Sequence, residues 1–317
     1  MVCTILISDQ TRHATQRCAP GRVICFMNDT KIPYTGKATS LDEQISFLKQ
    51  AGILIKDEAL AKNHLAFVGY YRLFAYVKPF INSSPIKKQI DFEQVWNLYI
   101  FDRKLRLLVI DAIERIEVAF RISISEIMST QYDPFWYVNN SHFKHVKWHV
   151  EFMEKVLKLT TRQEHTLIKH FYNTYSSPEF PPSWIITECL TFGVWSKVFD
   201  NLQRRSDKIA IANRLKMRFM DLLSWIKCLT ELRNLCAHHE RIWNHFFRHT
   251  PKDAPRQKYQ DHTFYQQAYI IIEMLKVISP TSEWKSKLKE LMSEYSHLPL
   301  EKMGFLNQWE KDPIWRA

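Results

Sequence analysis

The feature that most constrains the fold is one long periodic segment, from Phe92 to about Ser129. Apolar residues recur in it at steps of three and four, at Leu105, Leu108, Ile110, Ala112, Ile113, Ile116, Ala119, Phe120 and Ile124. Because a helix turns once in 3.6 residues, this spacing lines one broad apolar face, which other elements must cover. The remaining positions carry charges of both signs, which is typical of a solvated helix face with weak ion pairs. The segment therefore predicts one long helix with further elements packed around it.

Those further elements are predicted to be helices as well. The chain has only 6 glycines in 317 residues, whereas sandwiches and barrels need many glycine-bearing turns. Ser40 and Glu43 form a capping box at the start of one helix, and the proline-rich stretch 176–182 predicts a break. The predicted helices lie near 41–51, 57–68, 145–175 (interrupted near Thr160), 184–202, 217–237, 265–278 and 282–295. The fold class is all-α, with a C-terminal tail that packs back on the body.

Four stretches are expected along the chain. They are a leader or disordered segment (1–40), an N-terminal helical lobe (41–95), a helical core (96–250), and C-terminal helices with the tail (251–317). Residues 1–26 lack helical periodicity and precede a second methionine, Met27, so a start codon placed too far upstream is one interpretation. Their apolar run is too short for a signal peptide. No run of 18 apolar residues exists, so no membrane span is expected.

Charge and cysteine usage indicate the environment and the kind of partner. The net charge is +11 and the pI is near 9.3, which favours a polyanionic partner such as nucleic acid without identifying one. None of the cysteines forms a Cys-x-x-Cys pair, so a zinc knuckle is disfavoured. Free thiols within helices are ordinary in a reducing compartment, which predicts a cytoplasmic protein. The cysteines are at 3, 18, 25, 189, 228 and 236.

The stretch from Leu232 to Asn244 combines Arg233 with His238, five positions later, at the end of a helical segment. Arginine is always cationic, and its planar guanidinium binds phosphate through two parallel hydrogen bonds. Histidine titrates near neutrality and serves as an acid or a base. Cleavage of RNA by its own 2′-hydroxyl needs a base, an acid and positive charge at the phosphate, but no metal. The pair therefore predicts metal-independent RNA cleavage.

Helical geometry leaves the arrangement of this pair open. At about 100° per residue, Arg233 and His238 lie about 140° apart around an ideal helix. Either Arg233 reaches around the helix, or the helix distorts near Ala237, or a twofold interface supplies one histidine-bearing helix from each chain. The residues that would share one helical face are Asn234, His238, Arg241 and His245.

Three other interpretations of this stretch stay open. One is a satisfied polar cluster at a helix C-terminus, where cations are favoured. Another is a metal site, although His245 is followed by Phe246 and not by the glutamate of the zinc-protease motif. The third is Cys236 as a nucleophile, but this residue continues an apolar stripe, so packing in the core is preferred. The histidines of the metal interpretation are His238, His239, His245 and His249.

Arg233-Asn-Leu-Cys-Ala-His238 resembles the Arg-x4-6-His motif of the HEPN superfamily of ribonucleases and nucleotide-binding helical domains. The wider sequence resembles one branch, the Abi-like abortive-infection proteins of bacteria (the AbiD/AbiF type). The matching blocks span roughly 41–315 in order, and jointly they are specific. They are Gly69-Tyr-Tyr-Arg-Leu-Phe-Ala-Tyr76, Phe101–Arg121, Pro182–Gly193, Leu232–Asn244 and Met303-Gly-Phe305.

The resemblance implies an all-α, HEPN-like helical bundle, here with additional N-terminal helices, and a core at 96–250 of that type. By the motif, Arg233 and His238 are catalytic, and Asn234 is the polar residue that follows the arginine. The adjacent His239 is a further catalytic candidate, and the sequence does not decide which imidazole works. HEPN ribonucleases commonly act as dimers, so a homodimer is expected. Supporting residues on the long helix are expected to be Glu114, Glu117 and Arg121.

The function predicted first is a metal-independent endoribonuclease, without a cofactor, that acts in bacteriophage defence as an abortive-infection toxin. The alternative is a non-catalytic RNA-binding module that holds a structured regulatory RNA. A third class, a protein-interaction scaffold, leaves the polar helix end unexplained. RNA is the expected ligand, and an RNA or protein antitoxin is the expected partner. Substrate contacts are expected from Arg241, Trp243, Asn244 and His245, and base stacking from some of Tyr70, Tyr71, Trp195 and Trp243, although most aromatic side chains form core.

Overall fold

The computed structural model describes residues 37–81, 90–252, 262–306 and 308–316. The chain splits into two compact units, Met1–Thr39 and Ser40–Ala317, and the helices and strands of the described residues belong to the second. The leader predicted at 1–40, with Met27, lies almost entirely outside the described residues.

Helices dominate the regular structure of the described ranges, which confirms the all-α fold class. Two short strands, β1 (Ile53–Leu54) and β2 (Ile90–Asp91), pair in parallel with Ile53 opposite Ile90. Short 3-10 turns occupy Trp136–Val138, Asn140–His142, Leu300–Met303 and Trp309–Lys311. The helices are α1 (Leu41–Gln50), α2 (Glu58–Val68), α3 (Tyr70–Ile81), α4 (Phe92–Gln131), α5 (Val146–Arg162), α6 (Thr166–Thr174), α7 (Ser183–Cys189), α8 (Phe192–Asn201), α9 (Arg205–Arg214), α10 (Phe219–Ala237), α11 (Phe264–Ile278) and α12 (Trp284–Glu294).

The predicted long helix is confirmed as α4, which spans 40 residues and is about 60 Å long. Asp91 caps its start, because the Asp91 carboxylate accepts a hydrogen bond from Glu93 N at 3.1 Å. Seven helices of the described residues pack against it, namely α3, α7, α8, α9, α10, α11 and α12. The apolar stripe of α4, which includes Leu105, Ile116 and Phe120, is buried beneath them. α4 is therefore the element around which the others assemble.

The capping box predicted at α1 is present, and the prediction there is confirmed. The Ser40 hydroxyl accepts from Glu43 N at 3.2 Å, and the Glu43 carboxylate accepts from Ser40 N at 2.6 Å. Both bonds satisfy backbone amides that have no partner inside the helix.

The structure confirms an interruption in one predicted helix, divides a second and adds two helices, α3 and α9. The segment at 145–175 forms α5 and α6, because Gln163 adopts a φ of 48° and ends α5. The segment at 184–202 forms α7 and α8, with extended backbone at Leu190 and Thr191 between them. The sequence pattern does not predict α9, because this short helix is rich in charges; two of them, Asp207 and Lys208, are nevertheless buried.

The C-terminal tail packs against the body, as predicted. Trp315 is fully buried, and its indole N–H donates to the Tyr265 hydroxyl of α11 at 2.9 Å. The Pro299 carbonyl accepts from the Trp243 indole N–H at 3.2 Å. The tail is thus attached to α11 and to the segment after α10. None of the helices in the described part of the chain has the length and apolar content that a membrane span requires.

We predict that Gly304→Ala destabilises the protein by about 2–5 kcal/mol, because two costs add. Gly304 has a φ of 88°, and an added Cβ would overlap the Thr263 side chain and lie 3.0 Å from the Tyr265 Cβ. Gly52→Ala isolates the backbone cost, since Gly52 has a φ of 89° and open space around it, and should cost about 1–2 kcal/mol. Chemical denaturation measures both free energies of unfolding. Equal losses in the two variants would show that Thr263 moves aside freely.

Candidate functional site

α10 ends at Ala237, directly before the paired histidines. His238 leaves the helix with φ −89° and ψ 8°, and its N–H still donates to the Asn234 carbonyl at 3.0 Å. His239 then adopts a φ of 58°, in the left-handed region. The chain beyond His239 is therefore not helical. This corrects the helical face predicted for Asn234, His238, Arg241 and His245.

A fully buried carboxylate on α4, that of Asp102, fixes the segment that follows α10. It accepts hydrogen bonds from Ile242 N at 3.1 Å and from Trp243 N at 2.7 Å. The Tyr76 hydroxyl donates to it at 2.6 Å, and Arg106, one helical turn later, forms an ion pair with it. Burial raises the pKa of Asp102, and the positive charge of Arg106 opposes that rise. The carboxylate thus satisfies two backbone amides that would otherwise be buried without a partner.

Arg241 and Trp243 hold the same segment in place. The Arg241 guanidinium donates to the Ala75 carbonyl in α3 and lies 5.7 Å from the Trp243 ring. Trp243 is fully buried, with its ring 5.8 Å from that of Phe80. The substrate contacts predicted for these two residues stay predictions, and in the structure the Trp243 side chain is buried and that of Arg241 is bonded to α3.

The remaining aromatic candidates for base stacking differ in how much of the side chain is exposed to solvent. Trp195 is fully buried in the core, and Tyr70 is partly buried against Phe74. Tyr71 is 71% exposed, so of the four candidates it alone presents most of its ring to solvent.

A pocket of about 810 Å³ lies between α3, α4 and the end of α10. It brings together five of the predicted site residues, Arg233, His239, Glu114, Glu117 and Arg121. The other lining residues are Arg72, Tyr99, Arg103, Arg106, Leu107, Ile110, Ile113, Cys236 and Ala237. Five arginines against two glutamates make this cavity positively charged, and charge of that sign favours an anionic ligand.

Glu117 lies between two of these arginines. One oxygen of its carboxylate is 3.4 Å from Arg121 Nη1, and the other is 3.9 Å from Arg233 Nε. Arg121 is further held by the Leu190 carbonyl, which accepts from its Nη1 at 2.9 Å. Only 13% of the Glu117 side chain is exposed, compared with 33% of Arg233. Glu117 is therefore paired with both arginines, and about a third of the Arg233 side chain stays exposed.

The two adjacent histidines differ in their relation to this pocket. Both side chains are exposed, but His239 lines the pocket with Arg233, and His238 is not among its lining residues. The left-handed backbone at His239 turns the chain at this point. The sequence leaves the choice between the two imidazoles open, whereas the cavity favours His239.

A family model described as Abi-like protein matches residues 63–244, which is more than half of the chain. The chain belongs to the Abi-like family. Membership confirms the resemblance to Abi-like proteins and suggests a role in abortive-infection defence. The matched region of this Abi-like protein includes every residue that lines the pocket. No curated protein and no solved structure matches the chain.

A second pocket of the Abi-like protein, of about 950 Å³, lies between α5, α8 and α10. It contains Asn234 and His245, which the structure therefore does not bring into the cavity of Arg233. Burial lowers the pKa of His245. In the same pocket the Glu231 carboxylate accepts hydrogen bonds from the backbone amides of Arg248 and His249 at 2.8 and 3.0 Å. Seven of the eleven predicted site residues thus line one or the other of these two cavities, and His238, Arg241, Trp243 and Asn244 line neither.

Two of the alternative interpretations receive no support from the geometry. Cys236 is 4% exposed, and burial raises the pKa of its thiol to about 12, so a nucleophilic thiolate is disfavoured near neutral pH. Within the ranges that the structure describes, no three or more His, Cys, Asp or Glu side chains form a group that could hold a metal ion.

Three residues of this region are not found by sequence reasoning. Arg72 and Arg103 line the pocket, and Asp102 anchors the segment after α10. On α4 the charges are interpreted as a solvated face, which hides Asp102 and Arg103. One signal was present: Asp102 directly follows Phe101 and lies one turn before Arg106, at the edge of the apolar stripe. A charged pair placed there is a candidate for burial.

We predict that Asp102→Asn destabilises the protein by about 3–5 kcal/mol, because it leaves Arg106 buried without its counter-charge. Asp111→Asn is the matched control, since Asp111 also pairs with an arginine one turn later, Arg115, but its side chain is 60% exposed. That change should have little effect. Denaturant unfolding followed by circular dichroism measures both. A loss no larger than that of Asp111→Asn would disprove the anchoring role of Asp102.

Proposed function

We propose that this Abi-like protein is a metal-independent endoribonuclease that acts as a toxin in abortive-infection defence. The observation that carries the proposal is one pocket that contains a partly exposed arginine, an imidazole and a carboxylate that orients the arginine. We assign Arg233 and His239 as the catalytic residues and Glu117 as the residue that positions Arg233. The Arg-x5-His spacing of this pair still fits the HEPN motif, and we propose HEPN membership on that basis.

The proposed reaction uses the 2′-hydroxyl of the RNA as its nucleophile. The imidazole of His239 removes the proton of this hydroxyl, the O2′–P bond forms, and the P–O5′ bond breaks. The departing 5′-oxygen takes up a proton from an imidazolium. The products are a 2′,3′-cyclic phosphate and a 5′-hydroxyl. Arg233 stabilises the negative charge that grows on the phosphate oxygens through charge-assisted hydrogen bonds.

A homodimer would supply the base and the acid at the same time. One His239 can take the proton and later return it, but two imidazoles from two chains divide the tasks between them. His238 lies outside the pocket lining and is exposed, so we propose that it takes no part in the reaction.

The roles predicted for Asn234, Asn244 and His245 stay predictions, and we assign no step of the reaction to these residues. We also propose that the chain is divided into an N-terminal lobe at 41–95, a core at 96–250 and a C-terminal part at 251–317.

We predict that His239→Asn lowers the rate of RNA cleavage by at least about 100-fold, because the catalytic imidazole is lost. Asparagine tolerates the left-handed φ of 58° at this position, so the fold should stay intact. His238→Asn is the matched control and should retain the parent rate. The assay follows a labelled RNA in EDTA and identifies 2′,3′-cyclic phosphate ends, with Arg233→Gln as a second inactive variant.

The outcomes of this assay separate the proposed functions. Loss of cleavage in His238→Asn with full activity in His239→Asn would contradict the assignment of the imidazole. Cleavage that persists in both His239→Asn and Arg233→Gln would contradict the proposed site. RNA retention without cleavage by the parent protein would favour the non-catalytic module that holds a structured RNA, and an RNA or protein antitoxin would be sought among the molecules that co-purify with the protein.

A further inference from the structure

The turn that ends α10 has His239 in a position that usually belongs to glycine. The His239 N–H donates to the Cys236 carbonyl at 3.1 Å, and the Glu240 N–H donates to the Leu235 carbonyl at 2.8 Å. These two bonds form a Schellman motif, in which the left-handed residue is most often glycine. A residue with a Cβ is less stable than glycine in that conformation. The contacts around this turn therefore have to hold His239 in place.

The peptide group after His239 is held from two sides. The Glu240 N–H is bonded to α10, and the Glu240 carbonyl accepts a hydrogen bond from Arg106 Nη1 on α4 at 3.3 Å. Arg106 and His239 line the first pocket, whereas the Glu240 side chain lines the second. Arg106 therefore bonds to the backbone directly beside His239, from the pocket that contains the proposed catalytic imidazole.

Arg106 is itself fixed by a buried cluster. Its side chain forms an ion pair with Asp102, and its Nη1 lies 3.3 Å from the Tyr76 hydroxyl. Only 5% of Arg106 is exposed, although the residue lines the pocket. A guanidinium with so little exposed surface is suited to hold the backbone and not to bind a phosphate.

We propose that Arg106 is a positioning residue, which keeps the His239 imidazole in the pocket with Arg233 by fixing the carbonyl of Glu240. The inference rests on the proposed function, because it takes His239 as the catalytic imidazole. Imidazole and guanidinium must reach the same phosphodiester, and a misplacement of about 1 Å can cost about 100-fold in rate. Loss of this contact should therefore slow the reaction without weakening the binding of RNA.

Arg106→Lys tests the proposal. Lysine keeps the positive charge beside Asp102, but its ammonium lacks the planar fork and ends short of the Glu240 carbonyl. We expect kcat for a labelled RNA in EDTA to fall about tenfold or more, with KM within about twofold of the parent value. In the absence of RNA, hydrogen exchange at the backbone amides of His239 and Glu240 should become faster.

Two controls separate positioning from stability. Arg115→Lys changes an arginine on the same helix that also pairs with an aspartate one turn earlier, Asp111, but that lines neither pocket. Tyr76→Phe removes a hydroxyl from the buried cluster and leaves the bond between Arg106 and Glu240 possible. Both variants should keep the parent kcat, and Tyr76→Phe should unfold at a lower denaturant concentration.

Equal losses of kcat in Arg106→Lys and Tyr76→Phe would reduce the effect to stability and overturn the proposal. A parent-like kcat, a loss confined to KM, or unchanged exchange at Glu240 would overturn it as well. If Arg106→Lys does not fold, Asp102→Asn/Arg106→Gln replaces it, because that variant leaves no buried charge unpaired and the glutamine also ends short of Glu240. If exchange becomes faster but the parent protein cleaves no RNA, the contact holds the turn and the nuclease proposal fails.

Discussion

The Asp102 carboxylate lies in the interior at the point where α3, α4 and the segment after α10 meet. Removal of a carboxylate from water costs several kcal/mol unless charge and hydrogen bonds compensate for it. Here Arg106 supplies the charge, while Tyr76 and two backbone amides supply further donors. Because these donors come from α3, α4 and the segment after α10, the arrangement of the elements beside the pocket depends on a buried polar cluster and not on apolar packing alone.

The electrostatic character of the pocket changes along α4. At the end near α10, Glu117 neutralises part of the charge of Arg233 and Arg121. At the other end, Arg72 and Arg103 keep their full charge toward solvent. A polyanion that approaches a surface of this kind is attracted first to the unpaired end, since exposed charge of one sign in a concave site raises the local concentration of its counter-ion. The net charge of +11 acts in the same direction over longer distances.

The sequence predicts those features that are determined by residues close together in the chain, and it misses those that depend on contacts between distant segments. The extent of α4, the capping box of α1 and the arginine and histidine types of the site follow from spacing along the chain. The contacts of Arg241 and Trp243 with α3 do not, because both residues belong to the same polar stretch as the site and their partners in α3 are distant in the sequence. The choice between His238 and His239 depends on where α10 ends and on the φ angle of His239. Neither can be inferred from helical periodicity. Asp102 is hidden for a related reason, since alternating charges on a long helix are usually solvated.

The left-handed backbone at His239 restricts the set of side chains that this position accepts. Glycine, asparagine, aspartate and histidine enter that conformation most readily, and branched or bulky residues are excluded by steric contact with their own backbone. Of these four, histidine alone has an imidazole. On the proposed assignment of His239, a homologue that keeps the fold but has lost the activity would most readily carry asparagine or glycine at this position. On the same assignment, the residue at this position would distinguish active from inactive relatives in sequence surveys.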